Sequence, residues 1–301
     1  MSVANILCVG HAVQDFIFSV PALPTRGEKY RATRSVAQGG GPAATAAVAM
    51  CRLGGGATLA ARIGDDSAAD LIIDELRDYG VDCHLLLRCT GCSSSISAVM
   101  VDSRGERMIV NYLDERLPSD ASWLEPLLVG DFAAVLADTR WPEGALCALR
   151  YAREAGRYAV LDADRPVPAD GALLRVATHV AFSSDGLTDY AREPDPVVAL
   201  GRVAAQLDAW CAVTVGGAGV YVSRNGQIEH FASTPVTAID TLGAGDVWHG
   251  AFVLALAESS DAEHAVRFAS AAVALKVQRP GGRAAVPTRI EVDQFMAVHR
   301  P

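Results

Sequence analysis

The 301-residue chain has no apolar run approaching the ~20 residues that a helix needs to span a bilayer. Nor does it have a basic stripe. Its formal charge of −9 argues against nucleic acid as a partner, because no row of cations is available to neutralise phosphates. Gly-x-x-x-x-Gly-Lys-[Ser/Thr] is absent, which rules out a P-loop. No Gly-x-Gly-x-x-Gly opens a helix after the first strand, which weakens a dinucleotide reading. The seven cysteines are odd in number and irregularly spaced. Cys89 and Cys92 form C-x-x-C, but no second pair or flanking histidines complete a zinc site. Reduced thiols, no membrane run and a chain that begins directly with a strand predict a cytoplasmic protein.

Half of the residues are hydrophobic, enough for a sizeable core. Ile6 to Gly10 reads as a short buried strand. From Phe132 onward strands and helices alternate: 135–137, 143–155, 158–162, 179–182, 196–207, 212–215 and 220–223. Such alternation predicts an α/β fold with a mainly parallel sheet covered on both faces. Phe16 to Val20, Lys29 to Ala37 and a hairpin formed by 94–102 and 107–112 form a separate set of strands. Without a repeat, low-complexity tract or linker, the expectation is one domain over 1–301, with small-sheet segments near 12–36 and 92–112.

Asp240-Thr241-Leu242-Gly243-Ala244-Gly245-Asp246 lies between an expected strand end (Val236 to Ile239) and an apolar helix running to about Leu256. Glycines at such a mouth let unpaired N–H groups converge on an anion, with the helix dipole behind them. Asp246 could accept a proton from an alcohol held there; it reads equally well as a helix-start acid. Asp15 leaves the carboxyl end of the first strand, where open α/β sheets bind ligands. Gly39-Gly40-Gly41-Pro42 opens a helix of small residues. Val213-Thr214-Val215-Gly216-Gly217-Ala218-Gly219 joins two strands.

These segments resemble the signatures of the ribokinase-like (PfkB) family of sugar and nucleoside kinases, whose fold is a three-layer α/β/α domain with a small β-sheet lid. The resemblance implies ATP and Mg2+ as cofactors, a monovalent cation in some members, and a homodimer formed through the lid. It implies Asp246 as the base, with Gly243, Ala244 and Gly245 at the transferring phosphoryl group. Asp15, Gly40, Gly41 and Asp240 would bind the sugar. Thr214, Gly216, Gly219, Ser270 and Gly282 would line the nucleotide site. Two departures are visible. Ala44 stands where ribokinase has a sugar-binding Asn, and Ser183-Ser184-Asp185-Gly186 replaces the magnesium-organising Asn-x-x-Glu, with Asp162 and Asp164 as substitutes.

A narrower likeness, to the sulfofructose kinase branch, is carried by 39–49, Gly105-Glu106-Arg107, Asn111-Tyr112, Leu136-Ala137-Asp138 with Arg140-Trp141, and 279–284. It implies ATP-dependent phosphorylation of 6-deoxy-6-sulfofructose at C1, in sulfoquinovose breakdown. Lys29, Asn111 and Arg140 would hold the sulfonate. Each has an innocent reading: an edge-strand guard, a turn residue and a partner of Asp138. The rivals are kinases of fructose, a fructose phosphate or 2-keto-3-deoxygluconate, and a non-catalytic sugar or nucleotide sensor.

Overall fold

The computed structural model describes residues 3–299. Strand β1 (Asn5–Gly10) leads into β2 (Val13–Ser19), β3 (Arg34–Gly40) and helix α1 (Pro42–Arg52). β4 (Gly56–Gly64), α2 (Ser67–Asp78) and β5 (Asp82–Cys89) follow, then the hairpin of β6 (Ile96–Val101) and β7 (Arg107–Tyr112). The second half runs β8 (Ala134–Ala137), α3 (Pro142–Glu154), β9 (Tyr158–Ala163), α4 (Ala172–Val176), β10 (His179–Ser183), α5 (Ser184–Ala191) and α6 (Pro196–Ala204). It closes with β11 (Trp210–Thr214), β12 (Val220–Arg224), β13 (Gln227–Phe231), α7 (Ala244–Ser259), α8 (Ala262–Val277) and α9 (Arg289–Val298).

Nine strands form the large sheet in the order β13-β12-β11-β10-β9-β8-β1-β4-β5. It is parallel from β11 to β5; the β11–β12 and β12–β13 pairs are antiparallel, so β12 alone runs against the rest. Alternate residues of β1 face opposite cores. Ile6 and Cys8 join the cluster under α1, α7 and α8, whereas Leu7 and Val9 join the cluster under α3 and α6. Burial on both faces explains why these strands read as continuous apolar runs. From β1 the chain moves outward to β4 and β5, then returns on the other side at β8. The strand order therefore reverses between β1 and β8, where a parallel α/β sheet leaves a crevice at the carboxyl ends.

The small sheet has the order β3-β2-β6-β7. Its pairing puts Gln38, Asp15, Ser97 and Asn111 in one cross-strand row, so their side chains share a face. Every residue of β7 is exposed, including Ile109 and Val110.

One expected strand begins later than expected and another is absent. Lys29 does not begin a strand, since β3 starts only at Arg34. The Tyr30 hydroxyl accepts from the Thr25 and Arg26 amides at 3.1 Å each, folding that stretch onto itself. Residues 236–239 are not a strand either. The Ile239 and Asp240 amides both donate to Val277 O, at 2.7 and 3.0 Å, so this segment docks on the end of α8 rather than on a sheet. The C-x-x-C pair is not a disulfide: all seven cysteines are free thiols.

Candidate active site

At the switch point, buried Asp138 closes the gap between β1 and α1. Its carboxylate accepts from the amides of His11 (2.8 Å), Ala43 (3.1 Å) and Arg140 (2.8 Å). Gly10 is required beside it, because a Cβ there would sit 2.2 Å from that carboxylate.

The mouth of α7 faces the same end of the sheet. Gly243 caps the helix in the left-handed region (φ 71°), which glycine adopts without strain. The Val247 amide makes the first helical bond, to Gly243 O at 3.0 Å. The Ala244 amide is turned back onto Thr241 O at 3.2 Å, so it is not free for an anion as expected. The amides of Gly243, Gly245 and Asp246 have no partner among the described residues, and a Cβ on Gly245 would meet nothing within 4 Å. Three donors at the positive end of a 16-residue helix suit a phosphoryl group.

Half-buried Asp246 stands beside them. Burial, and after it the nearby Asp162, pushes its carboxyl up to about 7, while His249 pulls the other way. A carboxyl poised there is matched to taking a proton near neutral pH. His249 is buried and spoken for, Nδ1 lying 2.8 Å from Gly245 O and Nε2 3.2 Å from Ala181 O.

A buried guanidinium links this turn to the small sheet. Arg283 donates to Gly40 O (2.7 Å) and Thr45 Oγ1 (3.2 Å) and pairs with Glu75 (3.5 Å). Thr45 in turn lies against Gly243, and Asp15 against Gly40, where a Cβ would come within 2.2 Å of the Asp15 carboxylate. Gly41, at φ 93°, carries the chain past His11 O into α1. Burial raises the Asp15 carboxyl above its ordinary range, against a hydrogen bond from Ser97 and the charge of Arg283.

Asn111 extends the same polar row. Its Nδ2 donates to Ser95 Oγ at 3.0 Å and Ser97 Oγ at 3.1 Å, and Ser95 meets His11 Nε2 at 3.1 Å. Burial lowers His11 to about 4, helped by the charges of Arg140 and Arg62. Arg140 itself pairs with Asp164 at 3.0 Å. Lys29 is not brought to it. It is exposed and makes no hydrogen bond or ion pair among the described residues.

Asp240, expected as a sugar ligand, is largely engaged by main-chain amides. Its carboxylate accepts from the amides of Leu242 (2.9 Å), Gly281 (3.3 Å) and Gly282 (3.2 Å). Burial would raise its pKa, but the Leu242 amide, the Lys276 ammonium and the glycine amides outweigh that and hold it low. Gly282 also departs from expectation. It faces Gln38 of the small sheet, whose amide a Cβ would strike at 2.3 Å. It lines a cleft of about 900 Å³ with Asp240, Arg107 and Gln38. Ser270 lines a different cleft, of about 960 Å³, with Phe231, Ser233, Pro235 and Arg267.

That second cleft borders the β11–β12 turn, where Ser233 Oγ donates to Gly217 O at 2.5 Å. Thr214 closes β11, and Gly216 (φ 47°) and Gly219 (φ 99°) shape the turn. Among the described residues no three His, Cys, Asp or Glu side chains form a metal cage. One oxygen, Oδ1 of buried Asp162, lacks a partner. Asp164 is engaged by Arg140 and Ser183.

Sequence reasoning overlooked Arg283, Lys276, Ser95 and Ser97. A lone lysine within the apolar run Phe268–Val277 was the available signal for Lys276.

The family model for pfkB family carbohydrate kinases matches residues 3–289. Ribokinase of Bacillus subtilis (strain 168) is 29% identical over 301 residues, covering 97% of this chain and 99% of its own length. A fructokinase of Klebsiella pneumoniae is 29% identical over 238 residues, covering 72% and 76%. A crystal structure of a candidate ribokinase from Agrobacterium tumefaciens is 35% identical, with a TM-score of 0.92 over 99% of this chain and 98% of that one.

Proposed function

Because the chain belongs to the pfkB family of carbohydrate kinases, with a ribokinase-like fold, and so transfers phosphate to a sugar hydroxyl, we propose that its acceptor is the C1 hydroxyl of 6-deoxy-6-sulfofructose. The donor in this reading is ATP. The observation that carries it is the cross-strand row Asp15–Ser97–Asn111, which puts a carboxylate, a hydroxyl and an amide on one face of the small sheet; the forked cation in this reading is Arg140, whose charge acts on the His11 ring beside Ser95. A sulfonate needs such hydrogen-bond donors and a forked cation.

In this mechanism the sugar lies along the row with its C1 hydroxyl at Asp246. The Asp246 carboxylate takes the hydroxyl proton as the oxygen attacks the γ-phosphorus. The amides of Gly243, Gly245 and Asp246 hold the equatorial oxygens, and the bond to ADP breaks in line. Asp15 orients the sugar diol. Thr214, Gly216, Gly219 and Ser270 border the space for the nucleotide. Mg2+ would arrive on the phosphates and neutralise their charge. The small sheet acts as the lid of a single cytoplasmic kinase domain over 1–301. The exposed apolar β7 suits pairing with a second copy.

A second reading, a neutral ketose as acceptor, is favoured by the absence of any hydrogen bond or ion pair from Lys29 among the described residues and by the fructokinase relative. ADP release measured with sulfofructose, fructose 6-phosphate, fructose and 2-keto-3-deoxygluconate separates them. The proposal requires the highest kcat/KM on the sulfonated ketose; preference for fructose would replace it with the second reading.

A further inference from the structure

Lys276 is fully buried on α8, a helix otherwise lined by alanine, valine and phenylalanine. Its ammonium reaches the turn that precedes α7. There it donates to Asp240 O at 3.0 Å and to Leu242 O, and lies 3.7 Å from Asp240 Oδ1. A lysine wholly out of water is costly unless paired and hydrogen-bonded. The pairing comes from one three-residue stretch: two carbonyls accept hydrogen bonds and the Asp240 carboxylate supplies the counter-charge.

The position of that stretch matters. Leu242 directly precedes Gly243, whose left-handed conformation sets the direction of the unpaired amides. Asp240 is also the residue that the Gly281 and Gly282 amides bind. Two main-chain carbonyls and a carboxylate oxygen turned toward one point form a donor set for a small singly charged cation. In this protein a side chain occupies that point.

We infer that Lys276 is a built-in cation that holds the 240–243 turn in its phosphate-accepting form, in the place where a potassium or ammonium ion would otherwise be needed. The ammonium neutralises Asp240 and ties both carbonyls away from the cleft, leaving only N–H groups facing it. Lys276 touches neither sugar nor nucleotide; it is a positioning residue. The family resemblance implies a monovalent cation in some members, and the donors available here for such an ion are already taken. This inference rests on the kinase reading and not on which sugar is the acceptor.

The test compares wild type with Lys276→Met and Lys276→Gln, using whichever sugar the wild type phosphorylates. Each is assayed with tetramethylammonium as the only monovalent cation, then with potassium or ammonium at equal ionic strength. Melting temperature is read under the same conditions, so that the result survives even if no sugar of the panel is turned over. Wild type should show neither activation nor thermal stabilisation by potassium. Lys276→Met should lose about tenfold or more in kcat in tetramethylammonium, with a smaller change in KM, as expected when a group acts mainly on the transition state. Potassium or ammonium should restore part of that loss saturably and raise the variant's melting temperature. Lys276→Gln, which keeps a donor but no charge, should behave like the methionine variant.

Potassium activation of the wild type by severalfold would overturn the inference, and that arm needs no variant to fold. So would a Lys276→Met enzyme as fast as wild type in tetramethylammonium, or one that is folded and impaired but indifferent to potassium and ammonium.

Discussion

The two halves of the site are built differently. The turn at 240–246 is held from beneath by buried groups: Lys276, the Asp240 carboxylate, and Arg283 through Thr45. The row on the small sheet rests on strands whose outermost member, β7, is exposed throughout. It is tied together by serine and asparagine side chains rather than by charges. The contrast separates tasks. Phosphoryl transfer demands fixed amides and a fixed base, whereas in the proposed reading sugar recognition falls to the row on the small sheet.

If that division is right, the largest effect comes from the turn. Asp246→Asn should lower kcat by about 10²- to 10⁴-fold, the range of general-base catalysis, with little change in KM for any sugar, as steady-state ADP release will read. The same substitution should make the protein more stable at neutral pH. The Asp246 carboxyl is raised to about 7 in the folded state against 3.8 ordinarily. Between those values the folded chain keeps a proton that the unfolded chain has lost, so stability falls as pH rises through that window. The gain in melting temperature for Asp246→Asn should therefore be present at pH 8 and vanish toward pH 4.

Next in size, Arg283→Met should cost about 1–3 kcal/mol, because it leaves the Gly40 carbonyl without its buried donor and removes the counter-charge of half-buried Glu75; urea unfolding measures it. The pH profile of wild-type kcat/KM should carry an acid limb near pH 7, activity falling as Asp246 takes up its proton. The smallest effect belongs to the periphery. Lys29→Ala should leave turnover of fructose unchanged and raise KM for a sulfonated ketose by no more than about tenfold, the worth of one exposed charge contact.

How far the sequence carries follows the same division. The α7 mouth was legible because glycines at 243 and 245 before an apolar helix have few uses; Asp15 was read as leaving β1 but lies within β2 of the small sheet. The parallel sheet was visible in alternation, although β5, β13, α4, α5 and α9 were passed over. What was hidden depends on segments far apart in the chain. Lys276 meets a turn 34 to 36 residues earlier, and Arg283 meets residues more than 200 earlier. Residues 236–239 have strand-like composition, yet Val277 O takes two of their amides. Lys29 has strand-like neighbours, but a tyrosine hydroxyl folds its segment back. Local pattern assigns propensity, and tertiary partners decide the outcome.

The division of labour is tested most directly by the ratio of kcat/KM for sulfofructose to that for fructose, measured in Asn111→Ala and in Asp246→Asn. The account predicts that the ratio collapses in Asn111→Ala while fructose turnover persists, and that it stays at the wild-type value in Asp246→Asn although both rates fall together. A wild-type ratio in Asn111→Ala, or a ratio shifted by Asp246→Asn, would contradict it.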